Sequence, residues 1–382
     1  MAQPIFLDHH STTPVDADVF AAMRPWFVEA YGNPHSVDHA WGWQAEAAVE
    51  AARAEVAALI GASPAEIVFT SGATESNNLA LQGAAALLPP DRRHVIVTAT
   101  AHACVAGVAD LLEARGHPVT RLIPDADGRY DPDAVVAALL PQTGLVSIEW
   151  AHHEIGTIQP LTTIARRLRE RGVIVHSDAA QALGKIPVSV GADVDLMSLS
   201  AHKLYGPKGI GALYVRRRAG LRLAPLFAGG GQQRGLRPGT VPVPLAVGFG
   251  AACRIAEATM ASEAVRLADL RDRLLAGLRE AVPGLGVNGT LVDRLPHNLN
   301  VRFPGVMAVD LLHVVRETIA VSAGSACASA VIEPSPSLMA LGLSEAEALS
   351  SIRIGLGRAT VDTHVAIAIA SLAAAHRQLG RS

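Results

Sequence analysis

The sequence predicts an α/β fold: a large domain built on a seven-stranded, mostly parallel sheet, joined to a smaller α+β domain. Two observations carry this. Between residues 66 and 215 short apolar runs alternate with helical periodicity, and the runs are apolar throughout, as strands covered by helices on both faces are. Beyond residue 251 strands and helices mix without that regularity.

In chain order, residues 1–14 form a short polar arm containing Asp8-His9-His10-Ser11-Thr12-Thr13-Pro14. Helical periodicity follows, breaks at Tyr31-Gly-Asn-Pro-His35 and resumes over 41–60. Strands are expected at 66–70, 94–98, 119–123, 145–150, 173–176, 195–199 and 211–215. The stretch 229–240 holds too many glycines for a regular element. An amphipathic helix is expected over 262–282, with Leu267, Leu270, Leu274 and Leu278 on one face, and a strand over 298–303. Residues 15–250 are assigned to the large domain, and 1–14 with 251–382 to the small one.

The chain has 382 residues, half of them hydrophobic and 18% charged, which suits two packed domains and excludes a disordered chain. A net charge of −3 gives no broad basic surface for nucleic acid or anionic lipid. No uninterrupted apolar stretch reaches the roughly 18 residues of a membrane span; the nearest, 365–375, is Ala-rich and contains Ser371. The N-terminus lacks a basic region followed by an apolar core, so a cytoplasmic location is expected. Cys104, Cys253 and Cys327 are widely spaced and odd in number, which argues against a disulfide framework and leaves room for a reactive thiol. Among 32 Lys and Arg residues only Lys185, Lys203 and Lys208 are lysines. A lysine amine can lose its proton and attack a carbonyl, whereas a guanidinium cannot. Lys203 follows the strand at 195–199 directly and is the candidate for a Schiff base; Lys185 and Lys208 read as solvated surface charges.

Ligands of open α/β sheets bind outside the carboxyl ends of the strands. At the first such end, Thr70-Ser-Gly-Ala-Thr-Glu-Ser-Asn77 opens a helix starting near Glu75, and its free N–H groups make a cup for a phosphate. The next ends lead to His102, to His152-His153-Glu154, to Asp178 and Gln181, and to Ser200, His202 and Lys203. Taken singly each reads as a cap, a loop residue or a packed histidine. Together they supply a phosphate cup, an aldehyde-trapping lysine, a flat ring to stack and a carboxylate to keep a ring nitrogen protonated, which are the requirements of pyridoxal phosphate.

The chain resembles the cysteine desulfurases of the NifS/IscS type, class V aminotransferases within the fold-type I pyridoxal-phosphate enzymes. The resemblance covers nearly the whole length through Leu7-Asp-His-His-Ser-Thr-Thr-Pro14, Gly32-Asn-Pro-His-Ser36, Phe69-Thr-Ser-Gly-Ala-Thr-Glu-Ser-Asn77, His176-Ser-Asp-Ala-Ala-Gln181, His202-Lys-Leu-Tyr-Gly-Pro-Lys-Gly-Ile-Gly211, Ser322-Ala-Gly-Ser-Ala-Cys327 and Ser351-Ile-Arg353. It implies that Lys203 binds the cofactor covalently, His102 stacks on its ring and moves protons, Asp178 pairs with the ring nitrogen, and Gln181 bonds the phenolic oxygen. Ala73, Thr74, Ser200 and His202 would hold the phosphate, with Thr240 joining from the second subunit of a homodimer. Arg353 would clamp the substrate carboxylate, and Cys327 would take sulfur from L-cysteine as a persulfide, releasing alanine to leave sulfur for an acceptor protein. Cys104 and Cys253 are assigned structural roles.

Where the family shows Asn-Asn-Glu-Ile-Gly, this chain has His152-His-Glu-Ile-Gly156. His153 then stands at the contact to the cofactor's ring oxygen and the substrate carboxylate, and an imidazole there predicts a rate that titrates near neutral pH. The pairs His9-His10 and His152-His153 lack the spacing of a zinc site, and neighbours on a strand point apart, so no metal is expected. The chain ends sooner than members whose tail docks an iron–sulfur scaffold. This points to a specialised acceptor, with phosphorothioation of DNA's backbone as the favoured destination and no direct contact with nucleic acid. A housekeeping donor for iron–sulfur clusters or tRNA thiolation, a selenocysteine lyase, an aminotransferase and a catalytically weakened scaffold are the competing readings.

Overall fold

The computed structural model describes residues 3–191, 193–323 and 333–381. After a two-residue strand Ile5–Phe6 (β1), the strands of the main sheet are Ile67–Thr70 (β2), His94–Thr98 (β3), Val119–Leu122 (β4), Thr143–Ser147 (β5), Ile174–Asp178 (β6), Leu196–Ser200 (β7) and Gly211–Val215 (β8). They lie in the order β2-β8-β7-β6-β5-β3-β4, parallel except where β8 runs antiparallel to both β2 and β7. Each expected strand is present, most within one or two residues. The exception is 145–150, which begins at Thr143 and leaves the sheet at Ser147, so that Glu149 and Trp150 belong to the loop above it. All residues of β2, β3, β5 and β7 are buried, because helices cover both faces of the sheet.

The remaining strands are Gly286–Val287 (β9), Asn298–Arg302 (β10), Ile319–Ala320 (β11), Ser322–Ala323 (β12) and Ser351–Gly355 (β13). They form an antiparallel sheet β12-β13-β10-β9 and a parallel pair β1-β11 that joins the N-terminal arm to the C-terminal part. A separate core of Leu7, Leu267, Leu270, Leu274, Leu278, Phe303, Ile352 and Leu372 lies beneath them.

The helix expected from residue 262 begins at Val243 and runs unbroken to Ala281. Its first half escapes a periodicity reading because small residues replace the apolar ridge. A methyl at Gly250 would come within 2.7 Å of the Ala52 Cα, and one at Gly248 within 2.5 Å of the Met23 sulfur, so the glycines let helix Ala40–Leu59 and the chain at Met23 pack directly on the backbone. By length and composition this helix could cross a membrane; half of its most apolar stretch is buried inside the protein, as in a core helix.

Candidate active site

A cavity of about 460 Å³ opens above the carboxyl ends of β2, β3, β5, β6 and β7. It is lined by Ala73, Thr74, His102, His153, Asp178, Gln181, Ser200, His202 and Lys203, so the chain's strand-end clusters do meet. Arg353 stands beside it on β13. Thr240 is exposed and lies outside this lining, and Cys327 lies outside the described residues.

The turn expected to make a phosphate cup forms because β2 ends at Thr70 and Ser71-Gly72 lead at once into helix Ala73–Ala85. Gly72 is the N-cap, with φ at 155° and no side-chain cap, and an added Cβ would meet no atom within 4 Å. The first-turn N–H groups are thus left for a ligand. Across the cavity, Ser200 ends β7 with its hydroxyl buried and without a partner. His202 Nδ1 lies 3.0 Å from Thr12 Oγ1, and burial beside Lys203 lowers its pKa to about 4, leaving the ring neutral.

The Lys203 ammonium donates to the backbone carbonyls of His10 and Ser11, the latter at 2.8 Å. Burial, reinforced by Arg353, brings its pKa to about 8, so a usable fraction of free amine exists near neutral pH. Lys185 departs from expectation: it is buried, with its ammonium 4.4 Å from the centre of the Tyr205 ring, and it does not line the cavity. Lys208 does line it.

Asp178 closes β6. Its Oδ1 accepts from the Ala180 N–H at 2.9 Å and its Oδ2 from Asn77 Nδ2 at 2.7 Å. Gln181 Oε1 sits 3.0 Å from His10 Nδ1. His102 caps helix Ala103–Ala114, its Nδ1 accepting from the Cys104 N–H at 3.2 Å, and burial lowers its pKa. The His153 ring packs edge-on to His102 with centroids 5.2 Å apart and stacks on His152 at 4.6 Å. The neighbouring histidines therefore do not point apart; they lie in a turn after Ala151, where strand alternation no longer applies. Burial and the nearby His102 hold the His153 pKa well below the ordinary value. Among the described residues, no three His, Cys, Asp or Glu side chains are grouped to hold a metal ion.

Sequence reasoning gave no role in the site to Asn77, Cys104 or Glu149. Glu149 is a buried carboxyl in the cavity wall, bonded by the Thr98 and Thr100 hydroxyls, and burial pushes its pKa up. A lone acid inside the apolar run 145–150 was its signal. Cys104, expected to be structural, lines the cavity.

The residues present fit pyridoxal phosphate. The unpartnered Ser200 hydroxyl and the uncapped helix start at Gly72 suit a phosphate, the depressed Lys203 amine suits an aldehyde, and Asp178 suits a protonated ring nitrogen.

Comparison with known proteins agrees. The model of the "Aminotransferase class-V" family matches residues 5–366. A protein named cysteine desulfurase IscS, from Anaeromyxobacter dehalogenans (strain 2CP-C), is 52% identical over 370 residues, covering 97% of this chain and 91% of its own. Among solved structures, a NifS-like protein superposes with a TM-score of 0.91 at 34% identity over the full length of both chains. A structure described as SspA in complex with cysteine has a TM-score of 0.79 at 37% identity, covering 94% of this chain and all of its own. With that coverage and identity, the chain belongs to the class V aminotransferases, on their pyridoxal-phosphate-dependent, NifS/IscS-type cysteine desulfurase branch.

Proposed function

We propose that the protein converts L-cysteine to L-alanine and carries the sulfur away as a persulfide on Cys327. The observation that carries this is the convergence of Lys203, His102, Asp178 and the unpartnered Ser200 hydroxyl on one cavity, with the Arg353 guanidinium beside it.

Ala73, Thr74, Ser200 and His202 would hold the phosphate of pyridoxal phosphate, Lys203 its aldehyde carbon, Asp178 its ring nitrogen and Gln181 its phenolic oxygen. Once bound, the cofactor supplies an electron sink conjugated to the substrate's amino group. Arg353 binds the substrate carboxylate, as a planar fork suited to two parallel hydrogen bonds. The Lys203 amine, with its lowered pKa, takes and returns the Cα proton. The Cys327 thiolate attacks the substrate sulfur: an S–S bond forms, the Cβ–S bond breaks, and Cβ is protonated to give alanine. Both described flanks of the segment holding Cys327 are tied to the site. Ser322 pairs with Arg353 in the sheet, and Ser335 Oγ donates to both oxygens of Glu154, next to His153, at 2.8 Å.

The active unit in this reading is a cytoplasmic homodimer. Thr240 is exposed and does not line its own cavity, which suits a residue completing the partner's site, and Phe20, Phe27, Tyr31, Trp41 and Trp43 are large apolar side chains left exposed. The persulfide goes to an acceptor protein, in keeping with a net charge of −3, and the destination proposed is DNA phosphorothioation. Incubating the purified protein with L-cysteine tests the chemistry: alanine should accumulate and the Cys327 peptide should gain the mass of one sulfur. Alanine without sulfur on that peptide overturns the assignment of Cys327.

A further inference from the structure

Cys104 is the second residue of helix Ala103–Ala114, and its sulfur lies between two groups of the site. On one side Asn77 Nδ2 donates to Sγ at 3.1 Å, and the same amide nitrogen donates to Asp178 Oδ2 at 2.7 Å. On the other, Sγ is 3.1 Å from His102 Nδ1, which also receives the Cys104 backbone N–H at 3.2 Å. A nitrogen that accepts from a backbone N–H cannot itself carry a proton, so the thiol must be the donor in the sulfur contact. The proton of His102 is then on Nε2. Burial, reinforced by Asp178, raises the thiol pKa to about 11, so S–H persists across the neutral range.

We propose that Cys104 is a positioning residue whose thiol reinforces the His102 tautomer that its backbone N–H already favours, and that it couples the ring to Asp178 through one directed chain. The Cys104 S–H donates to His102 Nδ1, one Asn77 N–H donates to the Cys104 sulfur, and the other donates to the Asp178 carboxylate. The chain uses both amide protons of Asn77, and every donor in it has an acceptor. Two effects follow. His102 presents Nε2–H, rather than a mixture of tautomers, to whatever stacks in the cavity. Its ring plane is held at Nδ1 by two donors instead of the cap alone, which restricts rotation about the terminal side-chain torsion. The inference rests on His102 serving the reaction proposed above, but its main test does not.

Histidine labelled with ¹⁵N and assigned through a His102→Gln control gives the protonation of each ring nitrogen directly, in protein with or without cofactor and without turnover. Wild type should show an unprotonated Nδ1 and a protonated Nε2 at His102. Cys104→Ser, which keeps a donor and an acceptor, should show the same and retain turnover. Cys104→Ala, which keeps the backbone N–H to Nδ1 but loses the thiol donor, should shift the His102 ring resonances part of the way toward the other tautomer and lower kcat by about tenfold with KM little changed, the size expected for one neutral hydrogen bond. His102 resonances in Cys104→Ala identical to wild type would overturn the proposal. Loss in Cys104→Ser equal to that in Cys104→Ala would overturn it too, since packing and not the bond would then be at work.

Discussion

Asp8 Oδ1 accepts a hydrogen bond from Arg353 Nη2 at 3.0 Å, while Nη1 of the same guanidinium donates to the His153 carbonyl at 3.1 Å. Ser322 Oγ donates to the same Asp8 oxygen at 3.1 Å. The N-terminal arm, β12, β13 and the turn at His153 thus converge on one cation, whose Nε is buried without a partner. A buried orphan N–H is costly, so an acceptor arriving there is well bound.

Arg353→Lys keeps the charge but loses the fork, so that one ammonium must replace separate bonds to Asp8, to the His153 carbonyl and to an incoming carboxylate. The expected result is a fall in kcat/KM of about 10- to 100-fold, mostly through KM, since charge-assisted hydrogen bonds are worth about 1.5–3 kcal/mol each. Steady-state rates of alanine formation against cysteine concentration decide it; an unchanged KM would place the carboxylate elsewhere.

Lys203→Ala should yield protein without the yellow, covalently attached cofactor. Lys185 is a real competitor on electrostatics alone, because burial brings its pKa to about 8 as well. It is packed on Tyr205 away from the cavity, so geometry separates the two. Borohydride reduction of the wild type followed by peptide mapping should put the adduct on Lys203. An adduct on Lys185 or Lys208 contradicts the assignment.

The main sheet was legible because strands buried on both faces are written as plain apolar runs, and the site was legible because chemistry gathers where those runs end. The long helix from Val243 was only half visible, since Gly248 and Gly250 exchange the apolar stripe for close backbone approach. Lys185 looked like a surface charge because nothing local reports that Tyr205, distant in sequence, would cover it. Asn77 escaped for a similar reason: its partners Cys104 and Asp178 stand at other strand ends, and only the fold brings them within 3.1 and 2.7 Å of its amide, which is also what draws Cys104, next to His102 in sequence, into the site.

The sequence alone leads to a rate that titrates through His153 near neutral pH. The structure reverses this, because burial beside His102 holds that imidazole neutral far below its ordinary pKa. His153→Asn should therefore leave the shape of the pH–rate profile unchanged between about pH 6 and 8, and alanine production largely intact. A limb near pH 6.5 that disappears in the variant would show that His153 does gain a proton in the working enzyme.

Acid should destabilise this protein well before its carboxylates titrate. Burial lowers the pKa of His9 to about 4 and of His152 and His176 to about 3, and holds His10, His153 and His297 well below the ordinary value. In the unfolded chain these groups take up protons near pH 6.5, whereas in the folded protein they do not until far lower. Between those limits the unfolded state binds more protons, so stability falls as pH falls, by up to about 1.4 kcal/mol per pH unit for each independent histidine. They are not fully independent: His10 stacks on His297 at 4.3 Å and His152 on His153 at 4.6 Å, so each pair resists a proton jointly. Glu149 and Glu154, whose pKa values burial raises, work in the opposite sense, taking protons in the folded state first, but they are two groups against nine, since burial lowers His94, His102 and His202 as well. Thermal melts at about pH 7, 6 and 5 should show Tm dropping steadily, with the loss already under way at pH 6. The midpoint should fall less in His176→Gln, which removes one buried histidine from between the Ser147 and Ser198 hydroxyls, 2.8 and 3.0 Å away. A Tm constant down to pH 5 would mean that these histidines are protonated in the folded protein after all.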